Sequence, residues 1–395
     1  MSEQPRFETL CAELEPQPAS VTRPLTMPIV TAAVFAADSL ETIDDLYEQR
    51  ASGFVYTRDA NPNQVVLAEL VARLEGAEAG LAAASGMGAI TAALLPGLHA
   101  GSRVVAGHDL YGRTMAILRG PLAALGVETQ FVDLTDTDAA AAALAQAVDV
   151  VIVESISNPL VRVPDIPVLA ELAHRAGARL VVDNTFATPY HCLPLALGAD
   201  VVVHSGTKYL GGHSDVTNGV LVGSAAFMDQ ARNVVVTFGM SAGPFDCWLT
   251  VRGIKTLALR MERASANAQV VAEFLAGRRE VVAVHYPGLP SHPHHQRARA
   301  LLRNGIGAMI AFELRGGEPA ASAFVRGLHR IALAPSLADV STTISHPAKT
   351  SHRGYSAEQR EEIGIGPGLI RLSVGIEHVD DIVEDLAHGL AACRT

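Results

Sequence analysis

The sequence predicts an α/β protein with a mostly parallel central sheet flanked by helices, followed by a smaller α+β unit toward the C-terminus. Three observations carry this. Short β-branched runs at Val150–Val153, Leu180–Val182, Val201–Val203 and Val220–Val222 stop at polar or glycine residues, as buried parallel strands do. Stretches of helical period alternate with the strands, as crossovers in a parallel sheet require. Beyond Val281 the elements become shorter, notably at Ala308–Glu313 and Leu369–Val374. A chain of 395 residues exceeds one typical domain. Three parts are expected: an arm over 1–60, a larger unit over 61–250 and a C-terminal unit over 251–395.

Composition narrows the class. The net charge is -11, whereas a nucleic-acid surface normally needs basic excess. No uninterrupted apolar run is long enough to span a bilayer, and MSEQPRFETL lacks the basic-then-apolar pattern of a secretory signal. Cys11, Cys192, Cys247 and Cys393 are scattered without metal-ligand or redox spacing, as expected of reduced thiols in a cytoplasmic protein. His191 beside Cys192 is adjacency in sequence only. The group His292, His294, His295 lies in a Pro/Gly-punctuated loop (Pro290, Pro293) without an acidic neighbour, so a solvated loop is expected there rather than a metal site.

Taken in order, the first 60 residues show little long-period apolar patterning, and Pro16, Pro18, Pro24 and Pro28 favour an extended arm that needs a second body to lie on. Val65, Val66, Leu70, Val71 and Leu74 recur at helical spacing, and Gly76 ends that helix. Ser85-Gly86-Met87-Gly88 then opens an alanine-rich helix whose first N–H groups face an anion well. Arg103–Ala106 is a short strand, and Tyr111 lies in the loop after it. Ala139–Ala147 and Leu169–Ala178 read as helices, and Val150–Val153 runs into Glu154 and Asn158. Thr250–Phe274 reads as one long amphipathic helix.

The chemistry concentrates in Leu180–Gly212. One apolar run stops at Asp183, and the next ends at His204-Ser205-Gly206-Thr207-Lys208. Functional groups in such sheets gather at the carboxyl ends of the strands, which brings Asp183 and Lys208 to one edge. The chain has three lysines, Lys208, Lys255 and Lys349, and Lys208 alone is flanked by small donors suited to a phosphate. An amine, a carboxylate and a small phosphate cradle are what pyridoxal 5'-phosphate (PLP) requires. The amine bonds the aldehyde, and the carboxylate keeps the ring nitrogen protonated so that the ring acts as an electron sink. Arg371 sits within an apolar strand, a costly placement unless it meets an anion.

The segments YTRDANPN, SGMGA, LYGRT, ESISNP, VDNTFATP, HSGTKYLGGHSD and RLSVGIE run in order from Tyr56 to Glu377. In these the chain resembles the Cys/Met-metabolism, or trans-sulfuration, family of PLP enzymes. That family includes cystathionine γ-synthase, cystathionine γ-lyase, methionine γ-lyase and O-acetylhomoserine sulfhydrylase. The resemblance implies a fold-type-I architecture and γ-elimination or γ-replacement on a Cγ-substituted L-amino acid. It makes Lys208, Tyr111 and Asp183 catalytic. It assigns the cofactor to Tyr56, Arg58, Gly86, Met87, Tyr111, Asn158, Asp183, Ser205, Thr207 and Lys208. Asn158, Thr342, Arg371 and Arg113 are assigned to substrate.

Tyr56 and Arg58 are implied to reach a neighbouring subunit's cofactor, making the enzyme a homo-oligomer, a dimer of dimers, with a shared site. Two departures bear on substrate. Arg113 stands where methionine γ-lyases carry cysteine, and Ser341 stands where many relatives carry glutamate. Both point away from a distal ammonium group, provided Asp339 does not compensate. An O-acyl-homoserine sulfhydrylase or methionine γ-lyase-type activity remains an alternative. A β-eliminating lyase on the same fold and a non-catalytic PLP-binding protein complete the alternatives.

Overall fold

The computed structural model describes residues 22–48 and 50–393. Pro16, Pro18 and Cys11 lie outside the described residues. The described strands form two sheets. The first contains β1 (Ala79–Ala83), β2 (Arg103–Gly107), β3 (Glu128–Val132), β4 (Val150–Glu154), β5 (Arg179–Asp183), β6 (Val201–Ser205) and β7 (Gly219–Gly223). Its spatial order is β1-β7-β6-β5-β4-β2-β3. The second contains β8 (Val281–His285), β9 (Met309–Leu314), β10 (Ala332–Leu333), β11 (Thr343–Ser345) and β12 (Leu369–Ser373), ordered β10-β11-β12-β9-β8.

The expected fold class holds. From β3 to β6 every pairing is parallel, while β7 runs antiparallel to both β6 and β1. A parallel neighbour needs a crossover, usually a helix. The link from Ser205 to Gly219 contains none, so β7 returns beside β6 in the opposite sense. The central strands are apolar on both faces because helices cover both. Val181, Val182, Val201, Val202 and Val203 are completely buried.

Local chemistry sets the helix ends. The helix Pro62–Glu75 begins with proline in its first turn, and the Asn61 side chain accepts from Asn63 N. It ends at Gly76, whose φ of 73° is the left-handed conformation that glycine adopts without strain. The helix Gly86–Leu94 is capped by Ser85, whose hydroxyl accepts from Gly88 N at 3.0 Å.

Three expectations need correction. Thr250–Phe274 is not one helix but parts of two, Pro244–Ile254 and Leu257–Ala276. The Gly253 carbonyl, which a continuing helix would use, accepts from Thr256 N at 3.1 Å and from the Arg260 guanidinium at 2.9 Å. The first 60 residues contain a helix at Leu40–Tyr47, although none of its residues is buried. Among its other described residues, Met27 and Pro28 are tied down by side chains, with Asn63 Nδ2 donating to Pro28 O and Trp248 Nε1 to Met27 O.

The histidine group is not a solvated loop. His292 is buried, accepts from His294 N at 3.1 Å, and is pushed down to about 3 by burial first and then by cationic neighbours. His294 Nδ1 accepts from Val163 N, so these rings serve packing and backbone satisfaction.

Candidate active site

A cleft of about 810 Å³ opens where the carboxyl ends of β4, β5 and β6 face the second sheet. Lys208, Asp183, Tyr111, Asn158, Ser205, Thr207, Gly86, Met87, Arg113 and Arg371 all line it. Lys208 lies in the turn after β6. Its Nζ donates to Ser336 Oγ at 3.1 Å, a contact that crosses to the segment preceding β11. Burial, aided by the Arg371 charge, pushes the Lys208 amine down to about 8.

Asp183 closes β5. Its Oδ1 accepts from Thr185 N at 3.0 Å and from the Thr185 hydroxyl. The same hydroxyl accepts from Ser205 N at 2.9 Å, which locks the ends of β5 and β6 together. Burial raises the Asp183 carboxyl above its ordinary value, against the lowering effect of the Thr185 hydrogen bonds and His204. Behind it His204 Nε2 and Asn184 Nδ2 both meet Glu75 Oε1, at 2.7 and 2.8 Å, in a buried network.

Arg371 is buried in β12 but makes no ion pair among the described residues. Its two terminal nitrogens donate to Asn158 Oδ1 at 2.9 Å and Ser336 O at 3.0 Å. Burial lowers it to about 10. A guanidinium held only by neutral acceptors at a cleft wall retains charge for an incoming carboxylate.

Sequence reasoning missed Glu154, the residue that organises this floor. Its Oε1 accepts from Tyr111 N at 2.6 Å and its Oε2 from Asn158 N at 3.0 Å. One buried carboxylate therefore fixes both loops that carry Tyr111 and Asn158. Burial, then the neighbouring Asp183, holds Glu154 well above the usual carboxylate range. An acid closing an apolar strand beside Asn158 was the available signal. Thr185, Ser336, Arg353 and Tyr355 were also unread.

One placement differs from expectation. Thr342 does not line the cleft. It is buried, its hydroxyl donates to Glu377 Oε2 at 2.8 Å, and the same Thr342 hydroxyl accepts from Gly375 N at 2.9 Å, so both capacities serve the turn after β12. Tyr56 and Arg58 stay outside the cleft of their own chain. Tyr56 is exposed, and Arg58 lines a separate cavity with Gln64 and Arg232. Cys192 does not line the cleft, and burial pushes its thiol up to about 12.

The cleft fits PLP on features of its own. Asp183 makes no ion pair among the described residues and so has a negative charge to offer a ring nitrogen. At the start of Gly86–Leu94 the cap is spent on Gly88, which leaves the earlier N–H groups for an anion. Gly86 packs so close to Ser205 that a Cβ there would lie 2.8 Å from the serine Cβ, and its absence keeps the cradle open.

A mostly parallel sheet with a lysine, an acid and an anion cradle at its carboxyl edge defines a fold-type-I PLP-dependent enzyme. The family model for "Cys/Met metabolism PLP-dependent enzyme" matches residues 8–391, and the chain belongs to that family. It is 44% identical over 370 residues to an L-methionine gamma-lyase of Pseudomonas putida, covering 93% of each chain. It is 41% identical to an O-succinylhomoserine sulfhydrylase of Pseudomonas aeruginosa, covering 86% of this chain and 84% of the other. A solved cystathionine gamma synthase from Xanthomonas oryzae superposes with a TM-score of 0.89 at 40% identity, covering 94% of each chain. Among the described residues no helix is long and apolar enough to cross a membrane.

Proposed function

We propose that this PLP-dependent enzyme carries out γ-elimination or γ-replacement on a Cγ-substituted L-amino acid in the cleft around Lys208. The observation that carries the reading is that Lys208 and Arg371 share Ser336, one through its hydroxyl and the other through its carbonyl. An amino acid whose carboxylate meets Arg371 thereby presents its Cα to the lysine. PLP supplies the electron sink that makes the Cα–H acidic.

Lys208, already poised near neutrality, takes the Cα proton and returns it further along the substrate. Asp183 holds the ring nitrogen. Tyr111 covers the ring face and stands close enough to the cleft to assist proton transfer at the leaving group. Asn158 aims its amide at the ring or the substrate carboxylate while its Oδ1 holds Arg371. Gly86 and Met87 offer N–H groups to the phosphate, beside the Ser205 and Thr207 hydroxyls.

The arm over 1–60, the cofactor-binding part over 61–250 and the C-terminal part over 251–395 act as three units. Tyr56 and Arg58, exposed outside their own cleft, complete the phosphate site of a second copy in a homo-oligomer, a dimer of dimers. The scattered thiols suit a cytoplasmic enzyme.

The test is a panel of L-methionine, L-cystathionine, L-cysteine, and O-acetyl- and O-succinyl-L-homoserine, each with and without a thiol. The expected products are 2-oxobutanoate or a new thioether, abolished by Lys208→Ala. Pyruvate as the main product would instead establish β-elimination.

A further inference from the structure

We propose that Arg113 and Arg353 select a substrate whose γ-substituent ends in an anion, a carboxylate or phosphate carried beyond Cγ. This rests on the γ-elimination and γ-replacement reading above. The charges of the cleft show why. Its lining carries four cations, Lys208, Arg371, Arg113 and Arg353, against a single acid, Asp183. The cofactor occupies Lys208 and Asp183, and the α-carboxylate occupies Arg371. Two arginines are left with nothing to meet. Neither guanidinium makes a hydrogen bond or ion pair among the described residues.

The two stand on one rim. Arg113 follows Gly112, and Arg353 follows Ser351 and His352. Gly112 lies so near the Ser351 carbonyl that a Cβ on it would be 2.6 Å from that oxygen. A second tie joins the same segments: the Arg119 guanidinium lies 4.6 Å from the Phe131 ring centroid and 5.6 Å from that of Tyr355. The backbones bearing Arg113 and Arg353 are therefore held together, and both side chains reach the cleft mouth. Paired guanidinium groups on a common rim suit an oxyanion through several parallel donors.

The acids that could have reversed this preference are turned elsewhere. Ser341 offers no charge, and Asp339 does not compensate: it lies outside the cleft lining, its Oδ1 accepts from Ser341 N at 2.8 Å, and its charge acts on Arg260. A distal ammonium group would meet two arginines and no carboxylate. A half-ester of a dicarboxylic acid, or a phosphate ester, meets the complementary charge. Because both arginines are exposed, screening limits the gain, and about a tenfold preference is the expected scale.

The experiment titrates the holoenzyme with L-2-aminopimelate and L-2-aminoheptanoate while following the cofactor's visible band. Both lack a leaving group, and they differ in the distal carboxylate. The expected result is about tenfold tighter binding of aminopimelate at low ionic strength, an advantage that shrinks with added salt. Arg113→Met combined with Arg353→Met brings the two ligands to parity, while Arg113→Lys combined with Arg353→Lys keeps part of the advantage. A parallel arm compares kcat/KM for O-succinyl- and O-acetyl-L-homoserine, expected to favour the succinyl ester. Parity of the two ligands in the wild-type protein, or an advantage that survives the methionine pair, overturns the proposal. An aminopimelate advantage without turnover of any γ-substituted amino acid supports the rim and refutes the reaction. Turnover with parity does the reverse.

Discussion

Glu154→Gln isolates the carboxylate that positions the site. In the wild type its two oxygens accept from Tyr111 N at 2.6 Å and Asn158 N at 3.0 Å. Glutamine keeps one oxygen and sets an NH2 group against the second amide, so one buried donor loses its acceptor and faces another donor. That change costs about 1–3 kcal/mol. At ~2.1 cal/mol/K per residue, a chain of 395 residues unfolds with an entropy of ~0.8 kcal/mol/K, so the melting temperature falls by about 1–4 °C.

The deficit depends on pH. Burial raises the Glu154 carboxyl above its ordinary value of 4.5, so its stabilising proton is fully held below 4.5 and is lost as pH rises through the raised value. Glutamine does not titrate. The wild-type advantage is therefore largest in acid and narrows toward alkaline pH. Melting curves of the two apoproteins across pH 5 to 9 read this directly. Turnover in the holoenzyme falls by about tenfold or more, because the Tyr111 and Asn158 loops lose their common anchor. Melting temperatures within 1 °C at every pH, with turnover within twofold, would refute the positioning role.

Three further outcomes follow from the same geometry. Arg371→Met removes the donor shared by Asn158 Oδ1 and Ser336 O, and steady-state kinetics should show kcat/KM down by roughly a hundredfold, chiefly through KM. Gly86→Ala places a methyl 2.8 Å from the Ser205 Cβ, so equilibrium dialysis should show cofactor affinity reduced by about tenfold with an unchanged circular dichroism spectrum. In the apoprotein the neutral Lys208 amine becomes dominant above about 8, so stopped-flow cofactor capture should accelerate with pH with a midpoint near 8. Arg371→Met should move that midpoint upward, and a wild-type midpoint near the ordinary lysine value would contradict the burial argument.

The parts legible in the sequence were those written in local pattern. Val181–Val182 and Val201–Val203 announce buried strands by composition, and Asp183 and Lys208 announce an edge by terminating them. What escaped depended on distant partners. Glu154 reads as an ordinary strand end until the fold brings the amides of Tyr111 and Asn158 to its two oxygens. Thr342 reads as a cleft residue until Glu377 and Gly375 occupy its hydroxyl. The break at Lys255-Thr256 has no proline to mark it, because the interruption comes from Arg260 capturing the Gly253 carbonyl. Arg353 carried no signal of its own: its place beside Arg113 arises from the contact of Gly112 with Ser351.

The position of β1 has a consequence for how the molecule is made. β1 is early in the chain, yet its pairing partner in the first sheet is β7, with Ala79 opposite Gly223. The helix that follows β1 carries Gly86, which packs on Ser205 at the end of β6. While the chain emerges from the ribosome at about 5–20 residues per second, the stretch from Ala79 to Leu94 waits without its partners for several seconds. Pairings this remote in sequence close late and slowly. The contact of Gly86 with Ser205 is consequently among the last features of the first sheet to exist, and its closure marks completion of that sheet.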